Sequence, residues 1–255
     1  MNYDIDQRKT KILELLATNG DVHVTELSRL FDVSEVTIRI DLAYLEERGL
    51  LSRVYGGAIS SYKNYYNMNL KQRSTINGVE KKAIASRICD MINDNETIFF
   101  NSGTTVLYVL RVLKYKKNIT VVTNSLVIAS EAAGFAGFSV ILLGGLLHPK
   151  YQFTYGDDTK NLLLTYHADK AILSVDGVNG QSGYSTYYPQ ETEICRQMLK
   201  QANTSIIAVD YTKIGRIAFS NIAPVNTADR IVTNKNAPLS EIDIIRETGV
   251  EVIIV

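Results

Sequence analysis

Between Val33 and Ala58 the apolar residues mark out a helix and then a short hairpin. Ile38, Leu42 and Leu45 recur at helical spacing, which predicts a helix with those three facing inward. Ser34 stands where an N-cap belongs, its hydroxyl able to accept an otherwise unpaired backbone N–H of the first turn, and Gly49 ends the run. Leu50 to Ala58 follows with short apolar residues, Arg53 and a Gly56-Gly57 pair suited to the positive backbone angles of a tight turn. Residues 60–78 lack a sustained period and are rich in polar residues and tyrosine, which reads as a linker. From Val79 onward apolar runs alternate with helical stretches: TIFFN, ITVVT, FSVILLGG, KAILSVDG, SIIAVD, RIVTN and VEVIIV. Continuous apolar strands with helical crossovers predict a parallel sheet covered on both faces.

These elements place the chemistry. The outward face of the first helix carries Glu35, Val36, Thr37 and Arg39 at its N-terminal end, the end that meets base edges when a helix-turn-helix docks in a major groove. Arg39 reads as a base or phosphate contact against the alternative of a solvated surface charge. Glu35 serves equally well as a helix-dipole partner or as an acceptor for a cytosine amino group. In the second region the residues after each strand are informative. Asn101, Ser102, Gly103, Thr104 and Thr105 follow TIFF, and Asn124 and Ser125 follow ITVVT, each before an apolar helix. Small hydroxyl and amide residues at strand ends, with helix N-termini behind them, make an anion cradle at the carboxyl edge of a sheet. Gly144-Gly145, Asp176-Gly177 and Asp210 to Lys213 end further strands, and the last of these offers a carboxylate and a long cation. Any one of these signals reads more simply as a turn; their weight is joint.

Composition narrows the class without changing it. With 255 residues, a formal net charge of +0 and 45% hydrophobic residues, the chain can bury one sizeable core and a small satellite. No signal segment precedes the head and no apolar stretch approaches a bilayer span, so the expectation is a cytoplasmic protein with no membrane partner. Cys89 and Cys195 lie far apart and, with His23, His148 and His167, form no close ligand pattern, so no metal, disulfide or cofactor is assigned. Carboxylates outnumber cations over residues 1–60, so DNA affinity must rest on local placement of Arg39, Arg48, Arg53 and Lys63 rather than on a broad cationic patch.

The pattern V-S-x-x-T-I-R-x-D-L-x-x-L, followed by G-L-L-x-R-x-x-G-G-A, resembles the head of DeoR-type bacterial transcription regulators. Arg8, Ile12, Leu13, Leu16, Gly20, Val22, Val24, Glu26, Leu27 and Leu30 stand where such regulators carry their first two helices. The order N-S-G-T-T, T-N-S, L-G-G, D-G and D-x-x-K resembles the sensor domain of the same family, so the resemblance covers nearly the whole chain. It implies an α/β architecture: a winged helix-turn-helix DNA-binding domain over 1–59, a linker over 60–78, and a larger, mostly parallel-sheet sensing domain over 79–255. That domain would be related in fold to sugar-phosphate isomerases and coenzyme A transferases. Carried over, Ser34, Glu35, Val36, Thr37, Arg39, Arg53, Tyr55, Gly56 and Gly57 would meet operator DNA. Ser102, Gly103, Thr104 and Thr105 would hold a phosphate, with Ser125 in the same cradle; Asn124, Asp176 and Lys213 would face the sugar, and Gly145 would shape the floor. The chain departs from the family in having Ile40 and Tyr55 where a second arginine and a histidine are usual, and Tyr211-Thr212 where a small residue is common.

The function so implied is a regulator, in the first instance a repressor of a carbohydrate catabolic operon. Its partners would be double-stranded operator DNA and a phosphorylated sugar, and it would act as a dimer or tetramer. The alternative is a sugar-phosphate isomerase-like enzyme with a DNA-binding head, using Asp176, Glu193, Asp210 and Lys213 as acid/base groups. The second acid and the lysine-glycine run of the isomerases are missing after Asp176-Gly177, which favours binding without turnover. Tyr184, Tyr187 and Tyr188 line the sugar end of the pocket or pack an interface, at least one of them packing, and Glu191 and Glu193, placed to reach a hydroxyl, read rather as dipole-compatible surface acids.

Overall fold

The computed structural model describes residues 5–47, 51–60 and 70–255, and contacts divide the chain into two units between residues 69 and 70. In the first unit, helices α1 (Ile5–Asn19), α2 (Val24–Phe31) and α3 (Glu35–Glu47) combine with strands β1 (Asp21–His23), β2 (Leu51–Val54) and β3 (Gly57–Ser60). The Ser34 hydroxyl accepts the Thr37 N–H at 3.1 Å, so α3 is capped by the residue that the sequence nominated. Ile12 and Leu16, Leu27 and Phe31, and Ile38, Leu42 and Leu45 meet in one core closed by Leu51 and Ala58. Through that core runs a buried ion pair, Arg8 Nε to Asp41 Oδ2 at 2.5 Å.

The strands form an antiparallel sheet in the order β1-β3-β2. Val54 pairs with Gly57, so the turn is Tyr55-Gly56 rather than the glycine pair, and Gly56 alone takes positive φ, at 78°. Gly57 has a different reason to be glycine: a Cβ there would lie 2.0 Å from the Val22 carbonyl oxygen of β1. The expected helix stop at Gly49, together with Arg48 and Lys63, lies outside the described residues.

The second unit opens with α4 (Leu70–Thr75) and α5 (Gly78–Cys89), so part of the stretch read as linker is helical and belongs with this unit. Next come β4 (Thr97–Phe100), α6 (Thr104–Val112), β5 (Thr120–Thr123), α7 (Leu126–Ala132) and β6 (Ser139–Leu142). A hairpin of β7 (Leu146–His148) and β8 (Phe153–Tyr155) precedes α8 (Asp157–Leu163), β9 (Ala168–Leu173), β10 (Gly177–Asn179), β11 (Gly183–Thr186) and α9 (Pro189–Lys200). The chain finishes with β12 (Ala202–Ala208), β13 (Ser220–Ala223), β14 (Arg230–Thr233), α10 (Leu239–Glu247) and β15 (Glu251–Ile254).

All seven apolar runs enter one parallel sheet, in the order β15-β14-β12-β9-β4-β5-β6. Alternate residues face opposite cores. Ile98, Phe100, Val121, Ile172, Ile206 and Val232 pack with α5, α6 and α7, whereas Phe99, Val122, Leu173, Ile207 and Ile231 pack with α8, α9 and α10. The chain begins in mid-sheet at β4, proceeds to β5 and β6, then crosses back to β9 on the other flank of β4. Strand order therefore reverses between β4 and β9, where the connections leave in opposite directions, the position at which open α/β sheets characteristically bind ligands. A second, antiparallel sheet, β10-β11-β13, continues from the end of β9. No helix among the described residues is long and apolar enough to cross a membrane.

Candidate nucleic-acid interface and effector site

On the first unit, the face of α3 opposite the core is open. Val36 is 62% and Ile40 64% exposed, with Arg39 between them also exposed. Glu35 is ion-paired with Arg39 one turn on, at 2.7 Å. In the hairpin, Arg53 donates to Glu46 through both its backbone N–H and its guanidinium, each at 2.7 Å, and these bonds hold the Glu46 carboxyl below its usual range. Arg39, Arg53, Tyr55, Gly56 and Gly57 line one concavity of about 290 Å³ between helix and hairpin. Ser34 and Thr37, at the start of α3, are not among its lining residues; their hydroxyls lie 2.9 Å apart, and Tyr55 projects fully into solvent from the turn.

On the second unit the reversal point is stitched by a side chain. Asn101, one residue past β4, donates from Nδ2 to the Ser174 carbonyl at 2.8 Å and accepts the Ser174 N–H at 3.0 Å, replacing the ladder where the strands diverge. Gly103 admits this closeness, since a Cβ there would lie 2.3 Å from Ser174 Cβ. The Ser102 hydroxyl donates to Glu191 of α9, and Thr104 and Thr105 are buried in the first turn of α6. Glu191 is therefore no surface acid. Burial, with the Asp176 carboxylate adding to it and Ser102 and Arg73 opposing, pushes its carboxyl up to about 7. Glu193, by contrast, is only half-buried and is paired with Lys160 and Arg196.

Asp176 lies at the junction of β9 and the small sheet. Its Oδ2 accepts from the Tyr187 N–H at 2.9 Å and the Thr186 hydroxyl at 3.2 Å; its Oδ1 faces Arg73 Nη2 at 3.3 Å and Lys213 Nζ at 3.9 Å. Asp210 contributes nothing to this cluster. Its Oδ1 accepts the Thr212 N–H and hydroxyl at 3.0 and 2.5 Å and so caps the turn that presents Lys213.

The remaining residues expected in the site gather around the β7-β8 hairpin. Asn124 donates to the Thr154 carbonyl at 3.0 Å, while its Oδ1 is buried without a hydrogen-bond partner. Ser125 caps α7, accepting the Ile128 N–H at 3.3 Å. Gly145, at φ 137°, is glycine for packing, because a Cβ would lie 2.1 Å from Thr159 Oγ1 and 2.7 Å from the Tyr155 carbonyl. In the turn between β7 and β8, Tyr151 links the two groups: its ring lies 5.3 Å from the Arg73 guanidinium and 4.5 Å from the Tyr188 ring. His148 and Phe153 complete the aromatic cluster, whereas Tyr184 is fully buried core.

Sequence reading thus missed Arg73, Tyr151 and the burial of Glu191. Arg73 stands in a polar stretch with no period to mark a helix, and Glu191 occupies a first-turn position that usually faces water. Cys89 and Cys195 are free thiols, and no cluster of metal-ligand type occurs among the described residues.

A family model described as the DeoR C terminal sensor domain matches residues 76–235, and one described as the DeoR-like helix-turn-helix domain matches residues 8–64. The chain is 33% identical to the HTH-type transcriptional regulator GolR of Listeria innocua, over 89% of this chain and 90% of that one. It is 29% identical to the HTH-type transcriptional repressor CsqR of Escherichia coli, over 97% and 94%. The glycerol-3-phosphate regulon repressor of Escherichia coli is 28% identical, over 96% and 97%. Among solved structures, ribose 5-phosphate isomerase A of Methanocaldococcus jannaschii aligns with a TM-score of 0.38 and 15% identity over 52% of each chain. The translation initiation factor eIF-2B of Pyrococcus horikoshii aligns with a TM-score of 0.44 and 16% identity, over 90% of this chain and 82% of that one.

Proposed function

Because the chain belongs to the DeoR family of transcriptional regulators, we propose that it represses a carbohydrate catabolic operon and that a phosphorylated sugar or related metabolite sets its affinity for operator DNA. The observation that carries this reading is the buried charged cluster of Arg73, Asp176, Glu191 and Lys213 at the strand-order reversal, in a chain whose head exposes a reading helix. In the head, Ser34 to Thr37 and Arg39 meet base edges and phosphates, and Arg53 and the Tyr55-Gly56-Gly57 turn follow the backbone as a wing. Val36 and its neighbour Ile40, exposed and apolar, suit contact with thymine methyl groups. In the sensor, the Ser102 to Thr105 turn and Ser125 receive the phosphate at helix N-termini, Asn124, Asp176 and Lys213 address the sugar, and Gly145 bounds the floor.

The name of one relative, a glycerol-3-phosphate regulon repressor, agrees with a phosphorylated effector. The enzyme alternative has less support: one oxygen of the Asp210 carboxylate caps its own turn, and the three relatives are named as regulators or repressors. Paired half-sites on DNA favour a dimer or tetramer, and the protein acts in the cytoplasm, with a DNA-binding domain over 1–59 and a sensor over 79–255 that α4 extends toward its N-terminal side. Regulation follows from differential affinity: an effector that prefers the arrangement unable to engage both half-sites releases DNA.

A thermal-shift screen of phosphorylated sugars beside their unphosphorylated forms tests the sensor reading, since a ligand bound only by the folded state raises its stability. Selective stabilisation by a phosphorylated compound is the expected result. No shift across the panel would refute it.

A further inference from the structure

The sensor reading leaves Arg73 without a role, and its surroundings supply one. Its side chain is 12% exposed, and those of Asp176 and Lys213 are 9% and 8% exposed. A half-buried cation, Arg73, and a buried one, Lys213, thus share one carboxylate oxygen. The distances, 3.3 and 3.9 Å, are longer than the ~2.7–2.9 Å of a strong charge-assisted bond. Asp176 is also held independently of them, by the Thr186 hydroxyl and the Tyr187 N–H on its other oxygen. A stronger anion can therefore draw both cations away without stranding the carboxylate.

The helix that carries Arg73 is fastened close by. Lys81 of α5, 1% exposed, donates from Nζ to the Arg73 carbonyl at 2.8 Å, and Tyr108 of α6 donates to the Ser74 carbonyl at 3.0 Å. Helix α6 is the one whose first turn holds Thr104 and Thr105. Helix α4 is also where the chain, coming from the head in sequence, enters the sensor unit. Cation, phosphate cradle and entry helix are thus one connected set.

Resting on the regulator reading above but moving Lys213 from the sugar to the anionic group, we propose that Arg73 is an effector-binding residue, sharing with Lys213 and the Ser102 to Thr105 turn the anionic group of the effector, and that this contact is how occupancy reaches the segment leading to the head. The planar guanidinium suits a phosphate oxygen pair, and the Tyr151 ring beside it fixes its approach. An anion seated here shifts Arg73 off Asp176 and with it the backbone of residues 70–75.

The test uses the full-length protein with glycerol 3-phosphate, ribose 5-phosphate, fructose 1-phosphate, fructose 6-phosphate and inorganic phosphate as probes, followed by calorimetry on the best binder. Arg73→Ala is expected to weaken binding of that phosphorylated probe by about tenfold or more, the scale of one charge-assisted contact, while Arg111→Ala, at an exposed pair with Glu131, leaves it unchanged. Hydrogen exchange of residues 70–75 is expected to respond to the probe in the wild type and not in the variant. Should the alanine variant fail to fold, Arg73→Gln, which keeps the length and loses the charge, decides the matter. Wild-type probe affinity in a folded Arg73 variant overturns this inference while leaving the sensor reading intact. A wild-type protein that binds none of the probes overturns both.

Discussion

Glu191 shows how much a single residue's surroundings decide. Its carboxyl is raised to about 7 because burial disfavours the charged form. The folded protein therefore keeps a proton that the unfolded chain releases near pH 4.5, so stability from this group is full below that value and is lost as pH rises toward 7. Thermal midpoints of Glu191→Gln and wild type measured from pH 5 to 8 should differ in slope, the wild type losing roughly 1–3 kcal/mol more across the window; parallel curves would mean that Glu191 titrates normally. Gly103 makes a complementary prediction. Its place within N-S-G-T-T was legible as a turn, but the need for glycine comes from Ser174, 73 positions beyond the stitching residue Asn101. Gly103→Ala should destabilise the sensor by about 1–3 kcal/mol through overpacking, read by denaturant unfolding, and an unchanged midpoint would show that Ser174 yields freely.

At the scale of elements, periodicity reported what burial produces and little else. The seven sheet strands were legible because the inner ones, covered on both faces, are apolar throughout and the edge strands β6 and β15 are still rich in β-branched apolar residues, and α3 was legible because its cap and core stripe are local. The β10-β11-β13 sheet was not, since Gly177–Asn179 and Gly183–Thr186 are short and carry small or polar residues that read as loop. Helix α4 was hidden for a related reason: it is fixed by Arg73, Lys81 and Tyr108 and has no apolar stripe of its own. In the wing, the glycine pair was visible but its division of labour was not, because Gly57 answers to β1, more than thirty residues earlier in the chain. The Arg8–Asp41 pair is the head's equivalent, tying α1 to α3 inside the core. Arg8→Ala should cost about 3–5 kcal/mol by leaving Asp41 buried and uncompensated, whereas the double replacement Arg8→Met, Asp41→Leu should recover most of it. Unfolding of the wild type and the two variants by circular dichroism checks this, and equal losses in the single and double variants would exclude the pair as the cause.

Across the whole molecule, Arg39 and Arg53 of the head are engaged by neighbouring carboxylates, Glu35 and Glu46, and Arg73 and Lys213 of the sensor both face Asp176. Operator phosphates must compete with the first pairs as an effector must compete with Asp176, so each ligand acts on charges that the free protein has provisionally neutralised. Such exposed pairs are weak, on the order of 0–1 kcal/mol, and they orient the arginines without blocking DNA. Coupling between the sites is a free energy and is therefore reciprocal. The most direct measurement is fluorescence anisotropy of a DNA duplex selected by the protein from a random pool, titrated with and without a saturating phosphorylated sugar identified by thermal shift. The account predicts operator affinity lowered by about 5–150-fold, with effector affinity lowered by the same factor when operator is bound. Operator affinity unchanged at saturating effector would contradict it.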